Sequence, residues 1–320
     1  ARPRPGWPAT PATRSAVHPG AQARRAGGLP PGASVLLEVW AHGWEHLYDW
    51  RVSVLAGPAH PGRLTPVDSG VRATVAGLPE RLRAPLAEAF RRCDTHVAAA
   101  LLEVAVAPEL FGLAVEDWVV AGGVPLGVQR PVVLRHPGGR SAAPGPGLGP
   151  NGPGGPDIPP GDPQAHPADR EAGRAAARWA RVQAGPLQDE RADCAGGRPR
   201  APSAEWLSGL PDTTVPVHCR AADQEPTLGS LHAVRDAGYG VAVTRRPPPD
   251  PGVSCAPFHR GLREELAGAG RAEVLPVRLQ TLRGRAYGAD PDAYWAAGAG
   301  LVWEDPARPL PDVEPLHGDL

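Results

Sequence analysis

The sequence predicts an α/β fold, with an N-terminal α/β part followed by a C-terminal, mostly parallel, Rossmann-like sheet with flanking helices. Three observations predict it. Two β-branched apolar runs near the start face each other across a short polar turn. A following segment carries apolar residues at helical spacing. Beyond residue 210 or so, short strand-like runs alternate with helix-like ones, the order that implies a parallel sheet with right-handed crossovers.

The first pair is Ser34 to Trp40 (SVLLEVW) and Trp50 to Leu55 (WRVSVL), read as a hairpin. Leu78, Leu82, Leu86, Phe90 and Cys93 recur at steps of four, four, four and three, so one helix buries them while Arg81, Arg83, Glu88 and Arg92 point elsewhere. Leu101 to Val106 is a buried strand, Pro108 opens a short helical turn through Gly112, and Pro131 to Leu134 supplies another strand. In the second part, Arg170 to Val182 is an Ala- and Arg-rich helix. Strands are expected at Val215 to Cys219, Val241 to Thr244 and Leu301 to Trp303. Between them lie helices at Leu228 to Ala237, around Phe258, Leu262 and Leu266, and from Pro276 onward.

Composition sets the domain limits. The 320 residues are 42% hydrophobic, enough for a real core, but 42 prolines and 40 glycines gather in two stretches that can hold neither helix nor ladder. The expected organisation is a disordered tail over 1–33, an α/β part over 34–141, a Pro/Gly-rich linker over 142–167 and a second α/β part over 168–316. The chain has no lysine and no methionine, which reads as a fragment or trimmed product of a GC-rich gene. With 33 basic against 34 acidic residues, it carries no field that would gather polyanions, so neither nucleic acid nor anionic membrane is an expected partner. No apolar run of spanning length and no leader pattern appears, and a cytoplasmic location is expected. Cys93, Cys194, Cys219 and Cys255 are widely spaced, which points to reduced thiols.

Several constellations bear on chemistry. His42-Gly43-Trp44-Glu45-His46 has the H-x-x-E-H spacing of inverted zinc peptidases, in which a helix aligns two imidazoles on zinc while the Glu activates water. Here the segment contains Gly43 and lies between two strands, where residues four apart do not share a face, so a polar turn is the preferred reading. Cys219 stands beside His218, and Cys255 precedes His259 by four, which leaves a cysteine hydrolase conceivable. Neighbours on a strand point to opposite faces, and buried thiols are the preferred account. No phosphate-binding loop is possible without lysine, and no G-x-S-x-G elbow occurs. Catalytic, cofactor and metal residues are therefore not assigned. Arg220, Arg245, Arg246, Glu304 and Asp305 follow predicted strand ends and would form one charged partner or ligand edge at the carboxyl side of a parallel sheet, or else remain solvated loop charges. Trp118 and Trp303 are expected to be core anchors, and Leu126-Gly127 to serve a tight approach before the next strand.

Four blocks carry a family resemblance. Val106 to Trp118 (VAPELFGLAVEDW), Pro125 to Arg135 (PLGVQRPVVLR), Gly240 to Arg246 (GVAVTRR) and Leu301 to Pro306 (LVWEDP) resemble, in order and spacing, the C-terminal domain of vWA-MoxR-associated proteins. The resemblance covers about residues 34–312. It implies a component of a three-part bacterial conflict system with a MoxR-type AAA ATPase and a von Willebrand A domain protein, acting in defence together with an effector. It brings no catalytic residues. Such proteins usually carry an effector or adaptor segment before this domain, and nothing before residue 34 reads as one, so a truncated or stand-alone copy is expected. The expected role is a non-catalytic coupling domain. The alternatives are a zinc hydrolase on His42, Glu45 and His46, a cysteine hydrolase on Cys219 or Cys255, and a small-ligand sensor at the sheet edge.

Overall fold

The computed structural model describes residues 32–42, 46–57, 63–120, 122–137, 167–193, 202–220, 226–246, 254–306 and 308–310. Most of the expected tail and linker, together with Cys194, lies outside these. Strands β1 (Ser34–His42) and β2 (Leu47–Leu55) form the expected hairpin, with Ser34 opposite Leu55 and His42 opposite Leu47. A strand that the sequence does not announce, β3 (Leu64–Thr74), adds antiparallel to β2 as the outer edge. Pro66 is tolerated there because an edge strand has one unpaired side. Gly70 is needed there, since a Cβ would stand 2.6 Å from the Trp50 ring.

Helix α1 (Leu78–Cys93) follows, burying Leu78, Leu82, Leu86, Phe90 and Cys93 as their spacing predicts. Each of these larger side chains contributes about 1.5–3 kcal/mol on burial. Then β4 (Leu102–Val106) runs parallel to β1, and the short α2 (Leu126–Gln129) leads to β5 (Val132–Arg135), parallel to β4. The chain resumes with α3 (Pro167–Ala184), then the outer strand β6 (Gln188–Arg191), α4 (Ala204–Ser208) and β7 (Thr214–His218). It continues through α5 (Thr227–Asp236), β8 (Val241–Arg245), α6 (Ala256–Ala269), α7 (Leu275–Tyr287) and β9 (Ala299–Trp303).

Among the described residues, nine strands form one sheet in the order β3-β2-β1-β4-β5-β9-β8-β7-β6, so the two expected α/β parts share a single sheet. The sheet is mostly parallel, as predicted, with one correction in the second part. β9 pairs antiparallel with β8 and parallel with β5. One helix between strands returns the chain to the starting edge and gives a parallel neighbour. Here α6 and α7 both intervene, and the chain re-enters the sheet at the end where β8 left it. Consequently β6, β7 and β8 point one way, and β1, β4, β5 and β9 the other.

Alternation along the strands divides the core between the two faces. On one face Val35, Leu37, Leu102, Val104 and Val106 meet α1, and Ala242 and Val302 belong to the same cluster as Leu231 and Val234 of α5. On the other, Val215, Val217, Val241, Val243, Leu301 and Trp303 meet α3, α6 and α7 through Val182, Leu262, Leu266, Leu279 and Leu282. Trp118 lies in the first cluster, and Trp303 in the second, edge-on to Trp179 at 4.8 Å. Gly127 permits a close approach, because a Cβ there would come within 2.7 Å of Glu116 Cβ and 3.0 Å of Arg283 Cδ.

Candidate functional site

The direction of β9 divides the predicted charged edge. Val241 lies opposite Trp303 and Arg245 opposite Ala299, and Glu304 N donates to Gly240 O at 2.7 Å. Glu304 and Asp305 therefore stand at the start of β8, while Arg245 and Arg246 stand at its end. The single edge that a parallel β9 would have made becomes two sites at opposite ends of the sheet.

At the β5/β9 end, Glu304 accepts from His136 N at 2.6 Å and lies 3.0 Å from His136 Nδ1, with Arg135 Nε 3.5 Å from its other oxygen. Arg135 also donates to Glu103 at 2.5 Å, and the remaining Glu103 oxygen accepts from Ser34 Oγ at 2.5 Å and Arg308 at 2.8 Å. The Arg135 and Glu103 side chains are 3% and 1% exposed, so the pair survives burial only because each charge is matched and hydrogen-bonded. Burial acts to raise the Glu304 carboxyl, but the His136 hydrogen bond and the Arg135 charge outweigh it and hold the group below the ordinary Glu range. This network ties β1, β4, β5, β9 and the segment carrying Arg308 into one body.

The other end is built differently. Past β6, the buried Asp193 carboxylate accepts from Cys219 N at 2.9 Å, Arg220 N at 2.9 Å and Thr227 Oγ1 at 3.0 Å, tying the end of β7 to the start of α5. Opposite faces of the strand take His218 and Cys219, as alternation requires. His218 Nε2 lies 2.8 Å from Ser230 Oγ of α5, and burial pushes its imidazole down to about 4, against the raising effect of Asp193. It is neutral near pH 7. Cys219 belongs instead to the core facing α6.

There it meets the other thiol. Cys255 occupies the position just before α6 and His259 lies one turn on, so both project from one side of the helix. The Cys219 and Cys255 sulfurs and one ring nitrogen of His259 lie within 4.8 Å of one another. The sequence pairing of Cys219 with His218 is thus replaced by one of Cys219 with Cys255 and His259. The only advance signal was the Cys255-x-x-x-His259 spacing; the approach of Cys219 depends on strand order. Trp295 wedges α6 in place through Gly261, where a Cβ would fall 2.3 Å from Trp295 Nε1.

The three arginines play separate parts. Arg220 is exposed at the end of β7, and Arg245 reaches over the Phe258 ring, 5.6 Å from its centroid. Arg246 pairs with Glu116 at 3.2 Å and Asp117 at 2.7 Å, which anchors β8 to the 3₁₀ turn at Val115–Asp117. The H-x-x-E-H segment spans the β1–β2 hairpin; β1 ends at His42, β2 begins at Leu47, and His46 has a φ of 53°. Residues 43–45 lie outside the described residues; His42 itself is a strand residue, paired with Leu47.

Fold and site together define a mostly parallel, nine-stranded α/β domain whose two sheet ends are chemically distinct. The chain belongs to the family of the vWA-MoxR associated protein C-terminal domain, whose model matches residues 46–306. The family name associates it with vWA and MoxR proteins. No curated protein and no solved structure matches the chain. Among the described residues, no helix is long and apolar enough to cross a membrane.

Proposed function

We propose that this domain is a non-catalytic coupling element of a bacterial conflict system, relaying a signal between a MoxR-type AAA ATPase or a vWA protein and an effector. The observation that carries this reading is the family match across residues 46–306. The way the domain spends its charge supports it. At one sheet end the buried charges are engaged with each other, and Arg246 is engaged with Glu116 and Asp117, which makes a stiff body suited to passing on a displacement. Arg220, exposed at the other end, is available to a partner's carboxylate. A net charge of −1 favours protein partners over nucleic acid.

The test is a pull-down of the chain against the vWA and MoxR proteins encoded beside it, with and without ATP. Recovery of either supports coupling, and an ATP-dependent change in recovery places the domain in the ATPase cycle. Recovery of neither overturns the proposal.

A further inference from the structure

We infer that Cys219, Cys255 and His259 form a zinc site that clasps the carboxyl end of β7 to the start of α6. Their ligand atoms lie within 4.8 Å of one another, with Cys219 and His259 buried and Cys255 half-buried. Zinc held at about 2.3 Å from sulfur and about 2.0–2.1 Å from nitrogen requires ligand atoms roughly 3.5–3.8 Å apart, which small side-chain rotations would reach. No disulfide joins the two sulfurs.

The donor set fits the ion. Two thiolates and an imidazole are the soft and borderline ligands that select zinc over calcium or magnesium. Binding releases one proton from each thiol, and two thiolates on a divalent cation leave the cluster with no net charge, so its burial carries little electrostatic cost. Three protein ligands leave the fourth tetrahedral position to water.

The surroundings hold the ligands ready. The Asp193 carboxylate pins the Cys219 backbone. Cys255 sits at the N-terminus of the 14-residue α6, one turn before His259, so one helix positions both ligands. The Trp295 ring seated on Gly261 fixes the rotation of α6, and with it the angle of His259. None of this depends on the coupling role, and the site lies on the opposite face of β7 from His218.

The full chain, purified without chelator, is expected to contain about one zinc per molecule by elemental mass spectrometry. Cys219→Ser and His259→Ala should each lose it, while Cys93→Ser should keep it, because Cys93 packs in the core on the other face of the sheet. Should either variant fail to fold, cobalt titration of the metal-stripped natural chain reads the same site. A thiolate-to-cobalt charge-transfer band with tetrahedral d–d absorption is expected. Absence of zinc combined with absence of that band overturns the proposal. So does zinc that persists in folded Cys219→Ser, or a Cys219–Cys255 disulfide in chain purified without reductant, which would make the pair a redox couple.

Discussion

The two ends of the sheet solve the problem of buried polarity in contrasting ways. At the β5/β9 end, Glu103, Arg135, Glu304 and Arg308 neutralise one another in a network that leaves little charge for a visitor. At the β7/β8 end, buried Asp193 is satisfied by backbone and hydroxyl donors and Arg246 is paired with Glu116 and Asp117, but beside them stand two thiols, an imidazole and an exposed arginine. One end is cross-braced; the other retains chemistry. Carboxyl ends of parallel strands are where α/β sheets bind ligands, but this sheet has two such ends, and only their side chains tell them apart.

The sharpest way to break the contrast is Glu103→Gln. It removes the anion between Arg135 and Arg308 while keeping the shape, and leaves Arg135 as an under-compensated buried cation. The expected loss is about 3–5 kcal/mol, read from the urea unfolding midpoint. An unchanged midpoint would mean that the network does not brace this end.

The second prediction concerns acid. His218 is neutral in the fold, with its imidazole lowered to about 4 by burial, whereas in the unfolded chain it takes up a proton near pH 6.5. The unfolded state therefore binds more protons between these values, so the stabilisation is complete above pH 6.5 and is lost as pH falls toward 4. The lost contribution should be on the order of 2–3 kcal/mol. His218→Asn should flatten that part of the stability curve, and an equally steep curve in this variant would assign the acid sensitivity elsewhere.

The smallest expected effect on stability sharpens the functional side. Arg220→Glu alters an exposed residue and should shift unfolding by less than about 0.5 kcal/mol. If the β7/β8 end meets a partner, the same change should weaken recovery of the vWA or MoxR protein. Unchanged recovery would move the contact to another surface.

How far the sequence reaches follows from burial. Helix α1 and strands β1, β2, β4, β7 and β8 carry an apolar period because one or both faces are covered, and each is legible. The outer strands are not. β3 (LTPVDSGVRAT) is largely exposed, and β6 (QDER) contains no apolar residue, so both are held by backbone pairing that leaves no pattern in the side chains. Both helices before β9 are legible, but that two of them reverse the next strand is not, and this reversal sets Glu304 and Asp305 a strand's length from Arg245 and Arg246. Cys219 and His259 are 40 positions apart, and no local rule brings them together; the strand order does.

The position of β9 has a consequence for how the protein is made. Among the described residues, the strand latest in sequence, β9, lies inside the sheet, between β5 and β8. Until the ribosome has released residues 299–303, the earlier strands are two separate half-sheets, each with a raw inner edge able to pair with another chain. Insertion of one five-residue strand closes both edges at once. Nascent chains arrested before residue 299 should therefore need a chaperone, and assembly should be slow for a domain of this size, because its central contact spans more than half the chain.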